Sequence, residues 1–214
     1  HTTVLDGSDV EAAVAAARRS QMVIVMVGDQ DSEGRDQSLE LPDAQNQLVE
    51  AVARANPKTV GVVKTGSAIL MPGINDVPAV LEAWYPGEED GNAVAQVLLG
   101  AVNPSGKLPL TFPRGVDQTL AASPAQYPGM DGTVHYSEGL EVGYRGYTAR
   151  HVTPLFPFGF GLSYTQFSFS SLRIAQQPGS ANATVDFTVT NTGQRAGAEV
   201  AQLDPRGAIR AVGS

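Results

Sequence analysis

A chain of 214 residues, 42% hydrophobic and 17% charged, can bury one good core with part of a second domain beside it. A net charge of -8, with Lys and Arg scattered and densest only at Arg18-Arg19, excludes the basic stripe that a nucleic-acid partner needs. The absence of cysteine excludes disulfides, iron–sulfur clusters and cysteine-ligated zinc, and no apolar run reaches the roughly 18 residues of a membrane span.

The chain opens on His1, without an initiating Met or the basic-then-apolar layout of a signal peptide, as expected of a processed product or a fragment. Compartment is left open, cytoplasmic or secreted. "GSDVEAAVAAARRS" reads as a helix capped by Asp6 or Ser8, with Val10, Val14 and Ala17 on one face. "QMVIVMVG" follows as a continuous apolar run of strand length, the pattern of a buried parallel strand. It ends in a loop, "DQDSEGRDQSLELP", that carries Asp29, Asp31, Glu33, Arg35 and Asp36. A second helix is expected over "PDAQNQLVEAVARAN", with Pro42 in its first turn, a stripe of Leu48, Val49 and Val52, and Asn56-Pro57 as its stop. "KTVGVVKTG" is a second strand and "PAVLEAWYPG" holds a third, with Trp84 and Tyr85 at its end. "EEDGNAVAQVLLG" is a helix with acidic residues in its first turn and Gly100 just past its last. Alternating strand and helix predict an α/β fold, a three-layer α/β/α sandwich around a largely parallel sheet.

Beyond Gly100 the texture turns to Gly, Pro and aromatics, with strand-like pieces in "HYSEGLEVGYRGY". From Thr165 it changes again to alternating runs, "FSFSSLRIA", "ATVDFTVTNTG" and "AEVAQL", in which Val185, Phe187 and Val189 share a face. Three such strands make less than half of an immunoglobulin-like sandwich, so the reading is a domain over 1–164 and a truncated β-sandwich segment over 165–214. The ending "DPRGAIRAVGS" continues no strand pattern.

Loops at the carboxyl ends of parallel strands are where α/β folds place ligands. Glu33, between Ser32 and Gly34, can project freely because Gly34 allows a sharp turn. Such a carboxyl group suits glycoside hydrolysis, which needs an acid able to protonate a leaving oxygen, with Asp29, Asp31 and Asp36 as neighbours that could tune it. The plainer reading is that all these acids cap the next helix and face water, and on composition alone it is the commoner outcome. Other signals fail. "GAVNPSGKLP" has the wrong glycine spacing for a phosphate loop, and Leu108 stands where a magnesium-binding hydroxyl belongs. There is no dinucleotide fingerprint and no G-x-S-x-G elbow. His1, His135 and His151 have no metal-ligand spacing, so no metal and no cofactor is expected, and His135 among Tyr136, Tyr144 and Tyr147 reads as packing. The sequon Asn182-Ala-Thr184 is short enough to arise by chance. Trp84 and Tyr85 could line a sugar subsite, whereas Phe156, Phe158 and Phe160 read as packing surface between domains.

"SEGRDQSLELP", "NPKTVGVVKTGSAILMP", "AVLEAWYPGEEDGNAVAQVLLGAVNPSGKLPLTFP", "YSEGLEVGYRGY" and "PLFPFGFGLSYTQFSFSSL" occur in order. Together they resemble the C-terminal half of family 3 glycoside hydrolases of the β-glucosidase type, and the tail from Thr165 resembles the start of the fibronectin type III-like domain that follows in many members. The resemblance implies a retaining mechanism shared with a preceding (β/α)8 barrel that carries an aspartate nucleophile. It implies that Glu33 is the acid/base and that Asp36 orients the loop. Asp31, Trp84 and Tyr85 stand as further candidates for substrate contact. The implied partner is a β-glucoside or oligosaccharide held with the barrel's help, and no nucleic acid or membrane is expected. Gln37 replaces the Arg usual after Asp36, and Gly73 replaces a Trp frequent after "MP". The barrel is not in this chain, so the chain alone is expected to hydrolyse glycosides poorly or not at all, and to self-associate through an exposed barrel-docking face. The alternatives are a free-standing module that binds sugar or a partner protein, and a small α/β enzyme with chemistry of its own.

Overall fold

The computed structural model describes residues 1–119, 123–176 and 183–203, which leaves Asn182 of the sequon and the ending from Asp204 outside the described residues. These residues fall into two compact units, His1–Asp90 with Leu110–Pro157, and Gly91–Pro109 with Phe158–Ser214.

The first unit is built on three parallel strands, β1 (Val23–Gly28), β2 (Thr59–Lys64) and β3 (Ala79–Glu82), in the order β1-β2-β3. Val25 lies beside Gly61 and Val27 beside Val63, so these residues share one face. Helices α1 (Val10–Arg19) and α2 (Gln45–Ala55) pack on each other, and α2 lies against β1 and β2. Val25, Val27, Val52, Val62, Val63 and Ile69 form the buried core of this α/β sandwich. The cap of α1 is Asp9, whose carboxylate accepts the Ala12 N–H at 3.0 Å, while Asp6 is spent on a turn with Ser8. Pro42 precedes α2 instead of opening it, because Asp43 has φ 55°, a left-handed conformation that no helix continues through. A cavity of about 40 Å3 remains between α2 and the sheet, lined by Val49, Val63, Ile69, Gly73, Ile74 and Val77.

Asn56 closes α2 and does more than cap it. Its buried side chain donates to the carbonyls of Ala17 (2.9 Å) and Ser20 (2.8 Å) and accepts the Lys58 N–H (2.9 Å), which ties the end of α1 to the start of β2. Asn56→Ala strands these groups in a dry place and is expected to cost about 2–3 kcal/mol, read as a lower urea midpoint at unchanged slope.

The segment read as strand-like around Tyr144 instead forms the short helix α4 (Tyr144–Ala149), entered at Gly143 with φ 57°. His135 is exposed and takes no packing role, although its N–H donates to the Ala125 carbonyl. Phe112 and Phe156 exchange backbone hydrogen bonds and meet ring edge to ring face at 6.4 Å.

Helix α3 (Asp90–Leu98) runs into the second unit and ends before Gly100, which has φ 75°. There, Asn103 bonds Ser163 and the Tyr164 N–H, and Lys107 and Glu199 form a half-buried ion pair at 3.0 Å. Strands β4 (Phe167–Gln176) and β5 (Ala183–Asn191) pair antiparallel, with a register shift after Ser170. Val185 and Phe187 are half-buried while Asp186 and Thr188 are exposed, as the alternation predicts. Phe187 stacks on Phe169 at 6.2 Å. "AEVAQL" does not form the expected third strand. Glu199 turns its carboxylate to Lys107 and to the N–H of Val200, a donor that a strand partner would have used.

Candidate active site

Strands β1, β2 and β3 all end on the same side of the sheet, as parallel strands must, and their loops bring ionisable groups together. The ladder continues one residue past β1, where the Asp29 N–H reaches the Lys64 carbonyl at 3.2 Å. The Gln45 side chain pairs with both backbone groups of Gly28, at 2.8 and 2.9 Å, fixing the point where the acidic loop departs. The loop returns through a 2.7 Å hydrogen bond from Leu70 N–H to the Leu39 carbonyl, and buried Leu41 anchors its end.

At the tip, Glu33 is exposed and Gly34 turns the chain with φ 73°. The carboxylate of Asp29 accepts the Tyr85 hydroxyl and the Gly66 N–H (3.2 Å), and the same hydroxyl accepts the Asp31 N–H at 2.9 Å. Burial, with Asp29 beside it, raises the Asp31 carboxyl above its ordinary range, and its Oδ1 has no protein hydrogen-bond partner. Asp36 lies beside the Tyr127 hydroxyl. The Tyr85 and Tyr127 phenols are both pushed up by their neighbouring carboxylates, Asp29 and Asp36. Behind the loop, Lys64 pairs with Asp90.

Of the sequence candidates, Asp31 and Tyr85 are joined directly, and Asp36 lies beside Tyr127. Trp84 goes elsewhere: its ring packs against Phe112 at 6.1 Å. Trp84 has φ 53°, which costs a bulky residue on the order of 1–3 kcal/mol. The Phe112 contact and a 2.9 Å hydrogen bond from its N–H to Glu82 offset that strain.

Glu82 has no signature in the sequence. Burial raises its carboxyl from 4.5 to about 7, against the opposing pull of N–H groups from Trp84 and Thr65 and with help from Asp29. Its Oε2 has no protein partner. A proton is therefore bound more tightly in the folded chain than in the unfolded one. The stabilisation is complete below about pH 4.5 and is lost as pH rises through about 7. Allowing for the part of Glu82 still in contact with solvent, this amounts to about 2 kcal/mol. Glu82→Gln is expected to remove that slope from stability measured between pH 4 and 8.

Among the described residues, no group of three or more His, Asp or Glu is arranged to hold a metal ion, and no helix is long and apolar enough to cross a membrane.

A parallel α/β sheet with an exposed carboxyl on a strand-end loop is an arrangement suited to acid/base chemistry. Residues 3–164 match the model of the glycosyl hydrolase family 3 C-terminal domain, and the chain belongs to that family. It is 46% identical over 206 residues to a β-glucosidase of Rhizobium radiobacter, covering 93% of this chain and 25% of the relative. It is also 46% identical to β-glucosidase B of Emericella nidulans, covering 89% and 24%. Among solved structures, a β-glucosidase from Streptomyces venezuelae in complex with D-glucose superposes with a TM-score of 0.84 at 44% identity, over 87% of this chain and 24% of that one. The chain thus spans about a quarter of the length of these relatives.

Proposed function

We propose that this chain carries the acid/base of a retaining β-glucosidase-type hydrolase and that Glu33 is that residue. The observation behind the reading is the placement of Glu33: exposed, at the tip of the loop leaving β1, and inside the family-matched region. In the first step its carboxyl proton passes to the glycosidic oxygen as that oxygen leaves the anomeric carbon, which a carboxylate nucleophile attacks. In the second, the Glu33 carboxylate takes a proton from the water that displaces the nucleophile. A retaining pair stands roughly 5–5.5 Å apart across the sugar. We assign the second carboxylate to the (β/α)8 barrel that the family resemblance implies. Terminal β-D-glucosyl groups are the proposed substrate, in line with the β-glucosidase names of the relatives.

The test is hydrolysis of aryl β-glucosides by the chain alone and by a polypeptide joining it to a family barrel. Turnover only in the second supports the division of labour, and equal turnover in both refutes it. Self-association of the isolated chain is part of the same reading. Ile24 and Met26 are 44% and 50% exposed on β1, an edge strand of its sheet, and Met22, just before the strand, is 56% exposed. Light scattering should show a mass that grows with concentration and falls to the monomer in Met26→Lys. A monomer at every concentration would contradict it.

A further inference from the structure

The Glu33 loop leaves its sheet at an open edge. Strand β1 turns alternate residues to β2: the Val23 N–H reaches the Lys58 carbonyl at 3.1 Å, and the Asp29 N–H reaches the Lys64 carbonyl at 3.2 Å. The same alternation points both backbone groups of Gly28 to the edge that β1 forms. There the Gln45 carboxamide takes both. Its Oε1 accepts the Gly28 N–H at 2.8 Å, and its Nε2 donates to the Gly28 carbonyl at 2.9 Å. Gly28 is the last residue of β1 before the loop over 29–44, and Gln45 is the first residue of α2 after it. One amide pair thus closes the loop at its base, across 17 positions of sequence. At the far end, Gly34 turns with φ 73° in space where a Cβ would meet no other atom within 4 Å, so the tip takes its position from the stem.

We infer that Gln45 is a positioning residue, a clasp on the base of the loop that fixes where the Glu33 carboxyl stands. This rests on the acid/base reading of Glu33. Two observations favour a clasp over an incidental contact. Helix α2 begins at Ala44 with no side-chain cap, yet the Gln45 side chain is given to β1 and not to its own helix. Neither partner has room to change, either. A Cβ on Gly28 would collide with the Lys64 carbonyl, and only a carboxamide offers a donor and an acceptor side by side to the N–H and C=O of one residue. Acid catalysis needs the proton donor within hydrogen-bond reach of the leaving oxygen, and base catalysis needs the same carboxylate beside the incoming water. An unclasped loop therefore slows both steps while the sheet stays folded.

Gln45→Met keeps the length of the side chain without its hydrogen bonds, and Gln45→Glu keeps the acceptor but turns a carboxylate on the Gly28 carbonyl. Both are to be compared with Glu33→Ala in the polypeptide that joins this chain to a barrel. On a glucoside with a poor leaving group, the clasp predicts that each loses about tenfold in kcat, with KM little changed. On an activated aryl glucoside the two steps separate. Formation of the covalent intermediate, read from the first turnover of phenolate, needs no proton donor and should stay within about twofold of the parent. The steady rate should fall about tenfold, because the second step still needs Glu33 as its base. Amide exchange in the same polypeptide supplies a readout independent of catalysis. Exchange at Gly28 should quicken about tenfold in Gln45→Met, while the amides of β2 keep their protection. If Glu33→Ala spares the first turnover and slows the later ones while the Gln45 variants slow neither, the clasp is wrong. A first turnover slowed as much as the steady rate would mean a disturbed site instead of a moved carboxyl, and would overturn it too. If Glu33→Ala shows no such split, the acid/base reading fails and the clasp's catalytic role falls with it. Unchanged exchange at Gly28, or loss of the fold in both Gln45 variants, overturns the proposal in either case.

Discussion

Replacing Glu33 by Gln, in a polypeptide that includes the barrel, is expected to lower kcat on glucosides with poor leaving groups by about 10²–10⁴-fold. Gln keeps the size and much of the polarity of the side chain but cannot give up a proton at neutral pH. Cleavage of an alkyl glucoside must then expel an alkoxide, whereas a nitrophenolate leaves unaided. On the activated substrate the first step should therefore survive, and breakdown of the covalent intermediate, which needs a base, should become limiting. A burst of phenolate followed by slow turnover is the expected trace. Glu33 is exposed and its side chain takes no part in the core, so the thermal midpoint should stay where it was. Equal loss on both substrates would point to a disturbed site instead of a missing proton.

The largest effect on stability is expected at Phe112. Its side chain is 1% exposed and lies between Trp84, at 6.1 Å, and Phe156, at 6.4 Å, while its backbone bonds to Phe156. Phe112→Ala should cost about 3–5 kcal/mol, the sum of lost transfer energy and a cavity that the crossing backbone cannot close. Trp84 is the chain's only tryptophan, so its emission reports the change directly. The midpoint of urea unfolding should fall, and the native spectrum should shift red as water reaches the indole. The same substitution removes the contact that offsets the left-handed backbone of Trp84, and so loosens the turn that leads to Tyr85. A loss below about 1 kcal/mol would mean that this aromatic group is not part of the cooperative core.

Much of the first unit could be read from one-dimensional pattern because local rules and tertiary packing agree there. The apolar run at Val23–Gly28 is a parallel strand, Asn56 ends its helix, and Gly100 follows the last turn of another. The proposed role of Glu33 draws on the string around it. What was not legible depends on groups far apart in sequence. The Tyr85–Asp29 hydrogen bond spans 56 residues, and no periodicity announces it. Glu82 read only as a strand residue, since its raised pKa comes from burial and from Asp29, neither visible along the chain. Tyr127 was hidden in a Gly- and Pro-rich stretch that has no period to interpret. The misreadings have local causes as well. The region around Tyr144 looks strand-like by composition but closes into a helix after a left-handed glycine, and the "AEVAQL" pattern is overridden by the Lys107–Glu199 ion pair.

The central claim, that Glu33 is the acid/base of a retaining hydrolysis, is tested most directly by Glu33→Ala with an activated aryl β-glucoside and added azide. With the carboxylate gone, a small anion that needs no general base can enter the vacated space and attack the anomeric carbon of the covalent intermediate. The account predicts that azide restores turnover and that the product is the β-glucosyl azide, with configuration retained after two displacements. Absence of rescue in a folded variant, or an α-glucosyl azide, would contradict it.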